Sequence, residues 1–280
     1  MKNVLLAIMA AAVMMFSGCA SKEATPGYTG PAEVSTYFNA PLMSTDEVKS
    51  KLESAGFEIV AVDKVGKKKL DSIVFTNDYL KKLADKPGRG FLAGALRVLV
   101  NTENNEVRIS NPRYFVKAFL QDDYKVGDEQ PLLDAVNSAF GELKPSEDKW
   151  EFNGLADYQF MMGRPYYQDV IVAGEGETAA LKAKIEGTKK KNLVFKLEIG
   201  EGRTLYGVKL HKRTMKFVDK IGVQNAGILP WMVLVEDNKA TALRADYLIA
   251  ISYPLLDMGG FMGIMTVPGA VEKDVSKYFK

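Results

Sequence analysis

Three methionines near the carboxyl terminus have a spacing that could bind a soft metal ion. Met258, Met262 and Met265 follow the pattern Met-x-x-x-Met-x-x-Met. Thioether sulfur is a soft ligand that suits Cu(I), and methionine equally fills irregular cores and interfaces. Gly259 and Gly260 between them favour a flexible apolar loop over a rigid metal cage. Copper binding is therefore kept as an alternative interpretation.

The numbers and spacing of the other potentially catalytic residues exclude several classes of enzyme. The chain has one cysteine and one histidine, His211, which is too few for a zinc site of the usual kinds. Lys209, Lys212 and Arg213 surround His211 and disfavour its protonated form, so we expect a helix cap or a rim residue. No Gly-x-Ser-x-Gly motif is present. No cofactor is predicted, and an envelope enzyme that uses carboxylates stays open as an alternative.

The composition of the chain limits the kinds of molecule that it is expected to bind. The 280 residues are 47% hydrophobic and carry a formal net charge of +2, which gives no indication of nucleic-acid binding. A single cysteine excludes an intramolecular disulfide bond. The stability of the fold must therefore come from packing.

The amino terminus predicts export and lipid attachment. Lys2 precedes an apolar stretch, residues 4–16, that is short for a membrane-spanning helix. The run Phe16-Ser17-Gly18-Cys19 resembles the lipobox of bacterial lipoproteins, which implies cleavage after residue 18 and acylation of Cys19 by fatty acid such as palmitate. We expect the periplasmic face of the cell envelope. The Ala residue after the cysteine favours the outer membrane, and residues 19–33 predict a flexible tether.

Beyond the predicted tether, the sequence can be aligned with itself. Residues 98–100 fall on 233–235 at an offset of 135, and Tyr114 falls on Tyr247 at an offset of 133. Phe75 aligns with Leu210 at the offset of 135. The predicted units are residues 34–145, a connection over 146–165, and residues 166–280.

Each unit has the same predicted order of elements. A strand, a helix, two strands, a short helix, a hairpin and closing helices follow one another. Ser44 and Glu47 have capping-box spacing before the first helix. In the second unit, apolar residues alternate over 193–199, which is typical of a half-buried strand. The prediction is α+β, with two similar small domains that arose by internal duplication.

Residues 73–77, 95–100 and 111–114 carry a family resemblance. They read Ile-Val-Phe-Thr-Asn, Ala-Leu-Arg-Val-Leu-Val and Asn-Pro-Arg-Tyr. The pattern resembles the small α+β domain classified as domain of unknown function family 302. The second unit departs from it, with Arg-Ala-Asp-Tyr at residues 244–247. The resemblance implies a fold and a tendency of domains to pair, without established chemistry, so two copies in one chain are expected to pack as a pseudo-dimer.

The leading functional prediction is a non-catalytic module that binds a ligand or a protein. A cleft between two copies is a natural ligand site. The residues expected there are aromatic or apolar: Tyr114, Trp231, Tyr247, Phe261 and Met262. A small apolar ligand or an envelope protein is the expected partner, alongside the membrane through Cys19.

Overall fold

The computed structural model describes residues 24–66, 70–189 and 191–280. The predicted signal peptide and Cys19 lie outside these residues. The described chain is mixed α+β, which confirms the predicted fold class. None of its helices is both long enough and apolar enough to cross a membrane.

The first half, up to residue 151, forms a six-stranded antiparallel sheet with its helices and a separate two-stranded ribbon. Its elements are β1 (Glu33–Ser35), β2 (Tyr37–Pro41), α1 (Thr45–Ser54), β3 (Glu58–Lys64), β4 (Leu70–Thr76), α2 (Asp78–Ala84), β5 (Arg97–Asn101), β6 (Glu106–Ser110), α3 (Pro112–Leu120), α4 (Gln130–Phe140), β7 (Lys144–Pro145) and β8 (Lys149–Glu151). The sheet order is β3-β4-β5-β6-β2-β7, and β1 pairs with β8.

The second half, from residue 171, forms a five-stranded antiparallel sheet. Its elements are β9 (Ile171–Glu175), α5 (Thr178–Glu186), β10 (Leu193–Gly200), β11 (Arg203–Val208), α6 (Lys212–Met215), α7 (Phe217–Ile221), β12 (Trp231–Glu236), β13 (Lys239–Ala242), α8 (Ala245–Ser252), α9 (Met258–Gly263) and α10 (Val267–Ser276). The sheet order is β10-β11-β12-β13-β9, so leaving out β7, it has the strand order of the first sheet.

Helix starts follow the local chemistry of the sequence. Ser44 Oγ accepts a hydrogen bond from the amide N of Glu47 at 3.2 Å and caps α1. Asn111 Oδ1 accepts from the amide N of Arg113 at 3.0 Å and caps α3, whose first turn holds a proline. His211 Nδ1 accepts from the amide N of Arg213 at 3.2 Å, so this histidine caps α6 as expected.

The two halves pack through reciprocal contacts. A short 3-10 helix in each half, the first bridging helix (Gly90–Gly94) and the second bridging helix (Val223–Ile228), lies on the other half's sheet. A Cβ built on Gly94 would lie 2.8 Å from Leu205 Cδ2 of β11. In the other direction, Nη2 of Arg97 on β5 donates to the carbonyl O of Pro230 at 3.1 Å. Each sheet therefore contributes a buried face to its counterpart.

The amino-terminal segment is docked on the body instead of extending freely from it. The ring of Tyr28 stacks on that of Phe152 with centroids 3.7 Å apart. The amide N of Thr25 donates to Oδ1 of Asn153 at 2.9 Å, and β1 pairs with β8. The sequence predicted a flexible tether up to residue 33. In the structure residues 25–33 contact the body, because the aromatic ring and amide at residues 152–153 supply partners that a local reading of the segment could not reveal.

Candidate functional site

A cleft of about 590 Å³ opens where the two halves meet. One wall comes from β2, β6 and the segment around β7. The other comes from the end of α7, the second bridging helix and the residues after α8. The lining side chains are mostly polar: Asn39, Asn104, Glu106, Arg108, Lys144, Ser146, Glu147, Asp148, Gln224, Asn225 and Tyr253, with Pro145, Ile221, Leu255 and Leu256 as the apolar part.

Arg108 on β6 lies at the centre of this cleft, with 8% of the residue exposed. Its guanidinium forms a salt bridge with the carboxylate of Asp148. Nη1 donates to Oδ1 of Asn225 in the second half at 3.3 Å. The guanidinium carbon also lies 4.4 Å from the centroid of the Tyr37 ring. One buried cation thus holds groups from both halves in place.

Asp148, between β7 and β8, adds a second connection. Its Oδ1 accepts a hydrogen bond from the amide N of Leu255 at 3.2 Å. Its backbone O accepts from Oγ1 of Thr36 at 2.9 Å, which fixes the loop against the start of β2. The carboxylate is therefore held by Arg108 on one side and by the second half on the other.

Two stacked tyrosines lie at this site, and one of them, Tyr253, lines the cleft. The rings of Tyr37 and Tyr253 stack with centroids 5.8 Å apart, and Tyr253 Oη donates to the carbonyl O of Asn225 at 2.6 Å. Burial raises the pKa of the Tyr37 hydroxyl, an effect that the positive charge of Arg108 opposes. Burial also raises the pKa of Tyr253 well above its usual range. Both hydroxyls therefore stay protonated and able to donate at neutral pH.

One donor and one acceptor in the lining have no hydrogen-bond partner within the described residues. These atoms are Nε of Arg108 and Oδ1 of Asn39, and both are buried. The two residues are direct cross-strand partners in the β2–β6 ladder. Buried polar groups are nearly always paired in folded proteins. An unmet donor and an unmet acceptor on paired residues of adjacent strands therefore mark a place where a polar group from outside the fold would be stabilised.

Acid–base and metal chemistry find little support at this site. The Asp148 carboxylate is engaged by Arg108 and by the amide N of Leu255. The buried carboxylate whose pKa is raised, chiefly by burial, is Asp63 on β3, which pairs with Lys209 and does not line the cleft. In the part of the chain that the structure describes, no three His, Cys, Asp or Glu side chains are grouped as metal ligands.

Three of the aromatic residues predicted as ligand contacts lie in the core. Tyr114, Trp231 and Tyr247 are buried and none of them lines the cleft. Tyr114 Oη donates to the carbonyl O of Ile251 at 2.7 Å, so this tyrosine links α3 to α8 across the halves. Trp231 starts β12 and its Nε1 has no partner among the described residues.

Phe261 and the predicted metal-binding methionines lie on or next to α9, at the surface. Phe261 stacks on Phe160 with centroids 4.1 Å apart. Met258 and Met262 are one helical turn apart on α9, and Met265 follows the helix. All three methionines are exposed. The structure does not bring Phe261 or Met262 together with the three buried aromatic residues, and copper binding stays a prediction.

Four residues that form the cleft floor were not predicted from the sequence, namely Arg108, Asp148, Asn225 and Tyr253. A signal for Arg108 was present. Val107 and Ile109 are fully buried on either side of it in β6, and alternation turns Arg108 to the opposite face of the sheet. Because that face is also buried, a charged residue there requires a partner from elsewhere in the chain.

A second cleft, of about 540 Å³, is lined by Arg89, Gln121, Asp122 and Gln168, among others. At the predicted offsets of 135 and 133, Gln224 and Leu255 of the first cleft align with Arg89 and Asp122 of the second. Arg89 Nε pairs with Oδ2 of Asp123 at 2.9 Å. The polar side chains of the two clefts therefore differ.

Comparison with known proteins supplies no relative: no family model, no curated protein and no solved structure matches the chain.

Proposed function

We propose that this chain is a lipid-anchored envelope lipoprotein whose body binds a polar ligand in the cleft between its halves, without catalysing a reaction. The anchor is the lipid on Cys19, and the body faces the periplasm, with the outer membrane as its membrane. The ligand carries hydroxyl or amide groups.

The body is an internal duplication that packs as a pseudo-dimer. Both sheets have the same strand order. Each bridging helix lies on the other half's sheet, which is the exchange of contacts that two-fold symmetry generates. The resemblance of the sequence to a family of small pairing domains supports the same interpretation.

The observation that carries the ligand proposal is the pair of unpartnered atoms on adjacent strands, Nε of Arg108 and Oδ1 of Asn39. A hydroxyl or amide group can accept from the first and donate to the second. Both atoms have almost no exposed surface of their own, so binding requires a small shift of lining side chains. The amides of Asn104 and Gln224 offer further donors and acceptors.

The side chains that line the cleft favour a polar ligand over the small apolar ligand that the sequence suggested. Three carboxylates and two cationic side chains line the cleft, and one pair of them forms the buried salt bridge. A binding role is favoured over a carboxylate enzyme because Asp148 is held by Arg108. An envelope protein remains the alternative occupant.

Native mass spectrometry of the mature chain, purified gently from the host's envelope, tests the binding proposal. We expect a reproducible bound mass that Asn39→Ala removes. Because Asn39 Oδ1 has no hydrogen-bond partner among the residues that the structure describes, this change should leave stability intact. Asn137→Ala, an exposed position on α4, is the matched control.

The outcomes separate the alternatives. Bound mass lost in Asn39→Ala and kept in Asn137→Ala supports the cleft. A wild-type chain with no bound small molecule contradicts the ligand proposal and favours a protein partner. The anchor is tested separately: the intact mass of the mature chain should exceed that of residues 19–280 by the lipid, and Cys19→Ser should abolish the difference.

A further inference from the structure

We propose that a methionine-rich surface, formed by residues 160–162 and 255–265, rests on the membrane and sets the orientation of the anchored body. This inference depends on the lipid anchor at Cys19 proposed above. Its occupant is a lipid bilayer, contacted at the level of the headgroups and the first acyl carbons.

Exposed apolar side chains are concentrated on this surface. Ten large hydrophobic residues are exposed in the described chain, and six of them belong to these two segments. They are Met161, Met162, Leu255, Met258, Met262 and Met265, with exposures from 37% to 97%. Single exposed apolar residues are ordinary, whereas a contiguous group indicates a surface that is covered in use.

The two segments are joined to each other through an aromatic contact. Phe160 and Phe261 stack with an interplanar angle of 28° and ring centroids 4.1 Å apart. This stack ties the connection between the halves to α9. Lys220 Nζ donates to the carbonyl O of Gly263 at 2.8 Å, so a cation lies at the edge of the surface. Arg164 follows the first segment and is exposed. Both cations lie at the edge and suit anionic lipid headgroups, and the exposed Asp257, which caps α9, is the one carboxylate within the surface.

The short path from the anchor keeps the body close to the bilayer. Only six residue steps separate Cys19 from Thr25, whose amide N is hydrogen-bonded to Asn153. Six extended residues span at most about 20 Å. Asn153 precedes Phe160 by seven residues, a separation of at most about 25 Å along an extended chain. The methionine-rich surface therefore lies within about 45 Å of Cys19, so the lipid and this surface can reach the same bilayer together.

Side-chain type favours lipid as the occupant. Five of the six exposed residues are methionines, which are unbranched and adapt to a fluid partner. Acyl chains attached to Cys19 supply the binding strength. The methionine-rich surface determines how the anchored body is oriented on the bilayer. Burial of its side chains at the membrane interface stabilises one orientation of the body relative to the others.

Depth-dependent quenching in vesicles tests this. The mature, lipidated chain with Met262→Trp is reconstituted in vesicles of phosphatidylethanolamine and phosphatidylglycerol with brominated acyl chains. Its added fluorescence, relative to wild type, should be quenched at least about twofold more than that of Val172→Trp. Val172 is 48% exposed on β9 and lies outside the surface.

Intact mass, measured on the same samples, separates failure of the inference from failure of the anchor. Lipid present and selective quenching of Met262→Trp support the inference. Lipid present with equal quenching of the two variants overturns it and leaves the anchor standing. A mature chain without lipid overturns both, because the short path to the bilayer then has no origin.

Discussion

Nη1 of Arg108 donates to Oδ1 of Asn225 over 3.3 Å, and this bond joins the two halves in the floor of the cleft. The residues are 117 positions apart. The same guanidinium pairs with Asp148 and lies over Tyr37. Because every group in this network comes from a different element, the floor exists only when both halves are folded and packed.

Asp148→Asn should destabilise the fold strongly. The substitution leaves the guanidinium of Arg108 buried without its counter-charge, and breaking a buried ion pair on one side costs about 3 to 5 kcal/mol. Urea denaturation measures the loss. Glu147→Gln, an exposed carboxylate in the same cleft, is the control and should change stability by less than about 0.5 kcal/mol. Equal stability of the two variants would show that the salt bridge is not needed.

Gly94→Ala should weaken the contact between the halves. A Cβ at this position would lie 2.8 Å from Leu205 Cδ2 and 3.0 Å from Met232 Sδ, so these two side chains of the second sheet must move. Overpacking of this kind costs about 1 to 3 kcal/mol. Gly269→Ala in α10 has nothing within 4 Å and should be neutral or stabilising. Thermal unfolding of both variants compares them, and an unchanged melting temperature for Gly94→Ala would refute the close approach.

The pH dependence of stability should include a contribution from Asp63. Burial raises the pKa of this carboxyl above 3.8, and the nearby ammonium of Lys209 opposes the shift. The folded state therefore favours the protonated form, so this contribution is fully present below the unfolded pKa and is lost as pH rises through the folded pKa.

Asp63→Asn should remove that contribution, so wild type should lose stability relative to the variant as pH rises from about 4. Lys209→Met should raise the pKa of Asp63 further, because it removes the opposing charge. Titration followed by NMR measures the pKa directly. A pKa of Asp63 below 3.8 in the wild-type chain would contradict this prediction.

The methionine spacing gives a prediction for copper. Met258, Met262 and Met265 are exposed, and the account assigns them to a membrane contact. Cu(I) titration against a competing chelator should give no stoichiometric uptake. Leucine at all three positions should leave the titration unchanged and preserve membrane contact, because both side chains are apolar and similar in size. Uptake that disappears on this replacement would restore the copper alternative.

Local features of the fold could be predicted because their causes are local. Ser44 and Asn111 cap helices through hydrogen bonds to residues two or three positions away. The order of strands and helices also follows from periodicity and turn residues. The docking of Thr25 on Asn153, 128 residues later, has no such signal in the sequence.

The register of the predicted repeat shows a limit of pattern matching. The offset of 135 aligns Phe75 with Leu210. In the ladders, Ile73 pairs with Val98, and Tyr206 pairs with Val233. Phe75 therefore corresponds in register to Val208, two residues earlier than Leu210. A strand has a side-chain period of two, so a shift by two residues preserves the hydrophobic pattern and cannot be detected from it.

A different reason explains why the cleft could not be predicted from the sequence. Aromatic residues were chosen as ligand contacts by type, but Tyr114 and Tyr247 lie on the buried faces of α3 and α8. The floor instead uses Arg108 and Asn225, whose proximity depends on how the halves pack. Sequence pattern constrains each half and contains no direct information on that packing.

Hydrogen–deuterium exchange can locate the bound ligand on the protein. The chain purified with its bound mass is compared with the same chain after the ligand has been removed by dialysis. The account predicts slower exchange in the bound sample for peptides covering residues 144–148 and 221–228, the two walls of the cleft. Unchanged exchange in both walls, with protection elsewhere or nowhere, would contradict the cleft as the binding site.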